Sequence, residues 1–480
     1  MTAGHAHSPV NRVARLWLGV STRFLPFADA ASDQLPLGRL LRLSLFQVSV
    51  GMCTVLLIGT LNRVMIVEMG LAATLVAVMV SLPLLFSPFR ALLGYRSDTH
   101  RSALGWRRVP YLWMGSLLQF GGLAIMPFAL ILLSGDSQGP AWVGQAGAAL
   151  AFLLVGAGMQ TVQTAGLALA GDLAPAENRP RVVALMYLML LVGMVGSGLV
   201  FGWLLSDFSP LRLIKVVQGA ALLTMALNIA ALWKQEPRGR TVDDSPPLPF
   251  RTMWSQFATH ARAVRYLLAL GLGTAAFSMQ DIILEPYGAE VLHMGVGSTT
   301  ALTALMAVGA LLAFALAAHA LASGVHACRV AALGALTGIV AFSAVVFAEP
   351  MHSTALFRAG VGLIGFGGGL FSVGMLTAAM GLEDGGLHGL ALGAWGAVHA
   401  STTGLAIALG GTLRDAVSAL AMTGALGTAL ESPATGYSFV YHIEIYMLFA
   451  CLVALGPLVR STPPASARTG AKFGLADLPG

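Results

Sequence analysis

Apolar runs of about 20 residues recur along the whole chain, and few charged side chains interrupt them. A helix of about 20 residues is long enough to cross the roughly 30 Å hydrocarbon layer of a bilayer. The chain has 480 residues, of which 56% are hydrophobic. That is more apolar surface than the core of one water-soluble protein could enclose. The sequence therefore predicts an all-α polytopic membrane protein.

Twelve of these runs are predicted to be transmembrane helices. They cover roughly residues 43–61, 71–90, 111–133, 142–168, 183–205, 213–233, 264–284, 296–320, 329–348, 355–380, 387–411 and 437–459. The longest polar interval, 234–262, is rich in Pro and charge, as linkers are. It separates the first six predicted helices from the last six.

A faint repeat relates the two halves. The first predicted span ends in NRVMIVEMG and the seventh in EVLHMG, each directly before the next span. Two six-helix halves in tandem, joined by a linker, form the major facilitator fold. We therefore predict an N-terminal segment (1–42), a six-helix half (43–233), a linker (234–262), a second six-helix half (263–460) and a tail (461–480).

The distribution of Lys and Arg predicts the orientation of the chain. If the N-terminus is cytoplasmic, most of the 27 cations fall in cytoplasmic segments, as the positive-inside rule requires. The exceptions are Arg63, Arg212, Lys215, Arg358 and Arg414. We therefore expect both termini in the cytoplasm.

The N-terminal segment has a candidate role of its own. In residues 12–24, apolar side chains recur at helical spacing, with arginines off that stripe. This pattern predicts a short interfacial helix on anionic lipid, and a disordered tail is the alternative.

The loop between the second and third predicted spans is strongly cationic. It reads GYRSDTHRSALGWRRVPYLW, and Asp98 can accept hydrogen bonds from helix N-termini and from arginines. We predict a cytoplasmic clamp between helix ends, although the charges could instead serve topology alone. The predicted clamp residues, including those of the loop after the fourth span, are Gly94, Asp98, Arg101, Arg107, Arg108, Asp172, Arg179 and Arg181.

That loop closely resembles the PucC/LhaA family, a branch of the facilitator superfamily found in phototrophic bacteria. Three other stretches are similar to it: LGRLLRLSLFQVSVGM with IGTLNRVMIVEMG, QTAGLALAGDLAPAENRPRVVALMYLMLLVGM, and MQDIILEPYGAEVLHMG. The resemblance implies a factor that assembles light-harvesting antenna complexes and handles or delivers bacteriochlorophyll. LhaA-like members serve the core antenna around the reaction centre, and PucC-like members serve the peripheral antenna. Of the two, we predict that this chain is LhaA-like.

The resemblance also implies a location and partners. We expect the photosynthetic intracytoplasmic part of the bacterial inner membrane. The expected partners are core antenna subunits, the reaction centre, chlorophyll synthase and membrane lipid, but no nucleic acid.

Three side chains inside predicted spans are candidates for binding the pigment as cargo. Gln160 and Gln163 share one helix face, and His399 lies among small residues that leave room for a flat ring. The alternative is that each of them bonds to a neighbouring helix.

A cluster of charged and polar residues is predicted at the periplasmic ends of the first and seventh spans. Asp281 and Glu285 lie four residues apart, and Asn62 and Arg63 end the first span. Arg63 could pair with either acid; solvated helix ends or a ligand site are the alternatives. Glu444, deeper in the twelfth span, is the acid that most needs a partner.

No motif supports an enzyme. The glycine pattern GVGLIG at 360–365 lies inside an apolar span, where a dinucleotide site cannot form, so helix packing explains it. The rival function is a secondary transporter of an apolar or amphipathic small molecule, which would use the same fold.

Overall fold

The structure is a computed structural model that describes residues 35–85, 106, 108–134, 140–175, 178–235, 261–380 and 388–460. Every regular element within these residues is a helix. Eleven helices in the described ranges are long and apolar enough to cross a membrane, and one shorter apolar helix accompanies them. The all-α membrane fold predicted from the sequence is therefore confirmed.

The helices follow one another as predicted and are numbered α1 to α12. The first half contains α1 Leu37–Glu68, α2 Ala73–Leu85, α3 Val109–Leu133, α4 Ala141–Leu173, α5 Arg179–Leu204 and α6 Pro210–Leu232. The second half contains α7 Ala263–Glu290, α8 Val296–Ala322, α9 Ala327–Ala348, α10 Thr354–Met380, α11 His388–Met422 and α12 Ala434–Arg460.

Several helices extend beyond the apolar runs that predicted them. The first helix begins at Leu37, inside the segment assigned to the N-terminal tail, and α11 continues to Met422. Hydropathy marks only the lipid-immersed part of a helix, whereas hydrogen bonding continues into the polar interface. The predicted interfacial helix, most of the predicted linker and the tail after Arg460 lie outside the described residues.

We call the membrane side on which α1 begins and α12 ends the terminal side, and the opposite side the far side. The two halves pack against each other mainly through α2 with α11 and α5 with α8. Glycines allow the closest approaches, as is common between membrane helices. A Cβ added to Gly297 of α8 would lie 2.3 Å from the carbonyl oxygen of Gly202 of α5.

Two helices that meet between the halves depart from regular α-helix. In α1, residues Val55–Leu61 and Val64–Glu68 have π-helical hydrogen bonding. In α7, a 3-10 turn at Gln280–Ile282 precedes the last segment, Leu284–Glu290. Such irregular turns are uncommon and occur frequently at functional sites. They direct attention to the place where α1 and α7 touch.

Candidate functional site

The junction between α1 and α7 is held by an asparagine. The side-chain nitrogen of Asn62 donates to the backbone oxygens of Ile282 at 3.0 Å and of Asp281 at 3.3 Å. In a regular helix the carbonyl of Ile282 would accept from residue 286, but Pro286 has no N–H. Asn62 therefore replaces, from the other half of the protein, a hydrogen bond that the proline removes.

Glu285 joins a third helix to this junction. Its Oε1 accepts a hydrogen bond of 2.6 Å from the hydroxyl of Thr303 on α8. A Cβ on Gly59 of α1 would lie 2.6 Å from the same carboxylate oxygen, so a larger residue there would displace the Glu285 side chain from this position. One turn away, the hydroxyls of Thr60 and Thr300 lie 3.3 Å apart. We call this contact of α1, α7 and α8 the α1–α7–α8 junction.

The structure corrects the predicted pairing of Arg63. Its guanidinium is bonded to Glu68 of its own helix and reaches the backbone oxygen of Met294 at 3.5 Å. The π-helical winding explains this choice, because i→i+5 bonding brings a residue five positions later over Arg63. No direct ion pair forms between Arg63 and Asp281 or Glu285, although Arg63 lies within electrostatic range of Glu285.

Sequence reasoning missed a second connection between the halves, close to the far side. The guanidinium of Arg414 on α11 contacts Glu290 of α7 at 2.5 Å, Asp415 at 2.9 Å and the hydroxyl of Tyr437 of α12 at 2.7 Å. The other carboxylate oxygen of Asp415 accepts from the backbone N–H and the hydroxyl of Thr74 at the start of α2. Arg414 was one of the few cations outside the predicted cytoplasmic loops, which is the signal that could have found it. We call this group the far-side network.

Only part of the predicted clamp can be located. Arg108, which immediately precedes α3, contacts Asp172 near the end of α4 at 3.2 Å, so the structure brings these two predicted residues together. Gly94, Asp98, Arg101 and Arg107 lie outside the described residues, as does the side chain of Arg179. Arg181 is near the start of α5 and takes part in a further contact.

We expect Asp172→Asn to weaken this pair only slightly, by about 0–1 kcal/mol, because exposed ion pairs are screened by water. The Asp172 side chain is 41% exposed, although Arg108 is buried. Denaturation in detergent would measure the effect. The control is Asp207→Asn, because Asp207 forms an exposed ion pair with Arg212. A loss of several kcal/mol would show that the pair is shielded from water and that the clamp contributes to the stability of the protein.

The predicted pigment-binding residues lie in different halves. Gln160 and Gln163 are on α4, and the buried Oε1 of Gln160 has no hydrogen-bond partner among the described residues. His399 is on α11, where its ring stacks on Trp395 with 5.2 Å between centroids. The indole nitrogen of Trp395 is a buried donor without a partner in the described part of the chain. A free donor beside a stacked aromatic pair suits a flat ligand with carbonyl groups.

Glutamine and asparagine side chains also bind the helices of the first half together. Asn228 of α6 donates to Gln119 of α3 at 2.8 Å and accepts from Ser49 of α1 at 2.6 Å. This buried chain explains Gln119 as a helix–helix contact. The amide of Gln47, two residues before Ser49 on α1, is fully buried and unbonded within the described residues.

The helix arrangement defines the class of this protein as a facilitator-type fold. Similar solved structures include the nucleoside transporter NupG, with a TM-score of 0.63 at 15% identity over 87% of this chain and 99% of that chain. A bacterial homologue of the human lysosomal transporter Spinster has a TM-score of 0.62 at 14% identity, covering 88% of this chain and 96% of that one. These similarities establish the fold alone.

The chain belongs to the PUCC protein family, which matches residues 60–463. It is 56% identical to an uncharacterized protein in the puhA-bchM intergenic region of Rhodobacter capsulatus, over 95% of this chain and 97% of that protein. It is also 56% identical to Protein PucC of Rhodovulum sulfidophilum, over 85% of this chain and 91% of that protein. A bacteriochlorophyll synthase 44.5 kDa chain of Rhodobacter capsulatus is 30% identical to this chain, over 78% of this chain and 87% of that protein. The predicted family resemblance is thereby confirmed.

Proposed function

We propose that this protein is a membrane assembly factor for bacterial light-harvesting antenna complexes. Its membership of the PUCC family carries the proposal, because that family resemblance implies antenna assembly. Two of the stretches that carry the resemblance, around Asn62 and around Glu285, form the α1–α7–α8 junction. The family motifs thus coincide with the point where the two halves of the fold are joined.

The proposed cargo is bacteriochlorophyll. The similarity to a protein named as a bacteriochlorophyll synthase chain favours a link to this pigment. On the present chain, His399 would supply an axial imidazole, Trp395 an indole N–H, and Gln160 or Gln163 an amide for the pigment's carbonyl groups. No catalytic step is proposed, and the protein would bind and pass on the pigment unchanged.

Within the family we propose the core antenna around the reaction centre as the complex served. Its subunits, the reaction centre and chlorophyll synthase would be the partners, in the photosynthetic intracytoplasmic membrane with both termini cytoplasmic. The charge distribution supports that orientation. The peripheral antenna is the alternative.

Purification in mild detergent from the phototrophic host tests pigment binding directly. We expect an absorption spectrum with bacteriochlorophyll or a late precursor, together with antenna polypeptides. His399→Phe should reduce the bound pigment several-fold, because it removes the candidate magnesium ligand and keeps a flat ring. The matched control is His442→Phe, an exposed histidine on α12. A colourless wild-type preparation free of antenna polypeptides would contradict the proposal.

Deletion of the gene separates the two antenna assignments. We expect the core antenna to decrease while pigment synthesis continues, and quantitative spectra of membranes would measure both. Loss of the peripheral antenna alone would favour the alternative. Accumulation of one biosynthetic intermediate, converted by the purified protein, would instead show an enzyme.

A transporter of an apolar or amphipathic molecule remains the second candidate, because the fold is shared with solved transporters. Proteoliposomes distinguish it from an assembly factor. Movement of such a molecule across the bilayer without antenna subunits would favour the transporter. Pigment transfer only to added subunits would favour assembly.

A further inference from the structure

A cavity of about 380 Å³ lies between the two halves at the far side. Its walls come from α5 of the first half and from α8 and α10 of the second half. Gly202 of α5 and Gly297 of α8 line it where these two helices come closest. The volume is at the lower end of the range of about 300–1,000 Å³ that is usual for small-molecule sites. The cavity can therefore hold a ligand, and none of the candidate pigment-binding residues lines it.

The lining of the cavity changes from polar to apolar with depth in the membrane. Ser298 and Arg358 lie in the first five residues of α8 and α10, which begin at the far side, and Ser206 follows the end of α5. Leu302 and Leu305 line the deeper part. Leu305 is seven residues after Ser298, or about 10 Å along the helix. Such a lining matches a molecule with a polar head and an apolar tail.

Arg358 supplies a positive charge that no acid neutralises within the described residues. The other arginines of the far side in these ranges, Arg63, Arg212 and Arg414, each form an ion pair with an acid. Arg358 forms none there and is exposed at the cavity. A guanidinium presents its N–H donors in a planar fork that matches the oxygens of a phosphate. The unpaired arginine therefore favours a ligand with a phosphate in its head.

Trp203 indicates that the polar end of the cavity lies at the level of the lipid headgroups. It follows Gly202 on α5 and is 75% exposed. Tryptophan is enriched at membrane–water interfaces, where its ring lies among the headgroups. One turn deeper on α5, Leu199 and Val200 are more than half exposed and offer an apolar surface. A phospholipid of this leaflet would thus have its head and its acyl chains at the depths that the cavity requires.

We propose that this cavity binds one anionic phospholipid of the far-side leaflet. Its phosphate accepts hydrogen bonds from the guanidinium of Arg358 and the hydroxyl of Ser298, and one acyl chain lies along Leu302 and Leu305. The bound lipid contacts α5 of one half and α8 and α10 of the other, so it stabilises the contact between the halves at the far side. This site does not depend on the proposed antenna function.

Native mass spectrometry of the full-length protein in mild detergent tests the site, with phosphatidylglycerol or phosphatidylcholine added. We expect the wild type to retain one phosphatidylglycerol and far less phosphatidylcholine, whose head has no net charge. Arg358→Leu should weaken retention of phosphatidylglycerol by about fivefold or more, the effect of one cation on an anionic lipid. Arg358→Lys should preserve part of the binding. The matched control is Lys215→Leu, an exposed far-side cation that does not line the cavity, and it should bind as the wild type does.

Two results of this experiment would overturn the proposal. One is equal retention of the two lipids by the wild type, and the other is equal retention of phosphatidylglycerol by Arg358→Leu and the wild type. Glycerol 3-phosphate carries the same head chemistry without acyl chains and should not displace the lipid. Displacement at equal concentration would instead identify a soluble phosphate compound as the ligand and would also contradict the proposal.

Photolabelling in vesicles of phosphatidylglycerol and phosphatidylcholine locates the bound lipid. Phosphatidylglycerol with a photoreactive group in one acyl chain should label the peptide that contains Leu302 and Leu305 more than the peptide around Phe128, an exposed residue of α3. Ser298→Trp fills the polar end of the cavity but keeps Arg358, and it should abolish this preference. Uniform labelling of the lipid-facing helices in the wild type would show only general contact with lipid, and the proposed site would be wrong.

Discussion

Replacing Arg414 with leucine is expected to destabilise the protein by about 3–5 kcal/mol, the cost of leaving two partly buried acids without their cation. The Arg414 side chain is 14% exposed, and its partners Glu290 and Asp415 are 24% and 22% exposed. Removal of the guanidinium would leave both carboxylates facing each other and Tyr437. Chemical denaturation in mixed detergent micelles would measure the change in the free energy of unfolding.

The double variant Arg414→Leu/Glu290→Gln should be less destabilised than the sum of the two single variants, since it also removes one of the stranded charges. The control is Arg212→Leu, whose exposed pair with Asp207 should contribute about 0–1 kcal/mol. If Arg414→Leu behaved like Arg212→Leu, the far-side network would be solvated and would not hold the halves together.

The fold was predictable from the sequence because the bilayer imposes one length scale on every helix. Runs of apolar residues located the eleven long helices and the shorter apolar helix of the described ranges. Helix ends were not predictable to the residue, as α1 and α11 show, because the interface tolerates both apolar and polar side chains. Pro286 accounts for the break in α7, because it removes the N–H from which the carbonyl of Ile282 would otherwise accept a hydrogen bond.

The partners of charged residues were harder to predict than the helices. Arg63 was assigned to the seventh span by the repeat between the halves, but the π-helical turn of α1, which hydropathy does not report, gives it Glu68 instead. Asp415 and Thr74 meet across 341 positions of sequence, and no local pattern relates them. Asn62 contacts the seventh helix through the backbone carbonyls of Asp281 and Ile282 and not through an acid.

The same distinction applies to the candidate sites. A buried acid such as Glu444 can be recognised from sequence, because any carboxylate deep in an apolar span needs an explanation. What cannot be read from the sequence is which part of α7 faces Glu444, namely Asp281 and the backbone of Gln280. This arrangement depends on how α7 and α12 pack against each other.

The second large effect is expected at Gly297, where α8 of one half meets α5 of the other. Its Cβ position lies 2.3 Å from the oxygen of Gly202 and 2.9 Å from the Cα of Ser206. These are backbone atoms, so no side-chain rotation can relieve the clash. Overpacking usually costs about 1–3 kcal/mol, and Gly297→Leu should reach or exceed the upper end because two helices must separate. Denaturation in detergent would measure the loss.

Gly196→Leu is the matched control for this prediction. It lies on α5, but no atom lies within 4 Å of its Cβ position, so the new side chain would point into open space and leave stability nearly unchanged. Gly297→Ala should already be harmful, since the clash begins at Cβ, and shortening a neighbouring side chain cannot rescue it. If Gly297→Leu and Gly196→Leu were equally stable, α5 and α8 would be able to move apart at Gly297 without loss of stability. The joining of the halves would then depend on α2 and α11, where Gly411 packs against the backbone oxygen of Ala73.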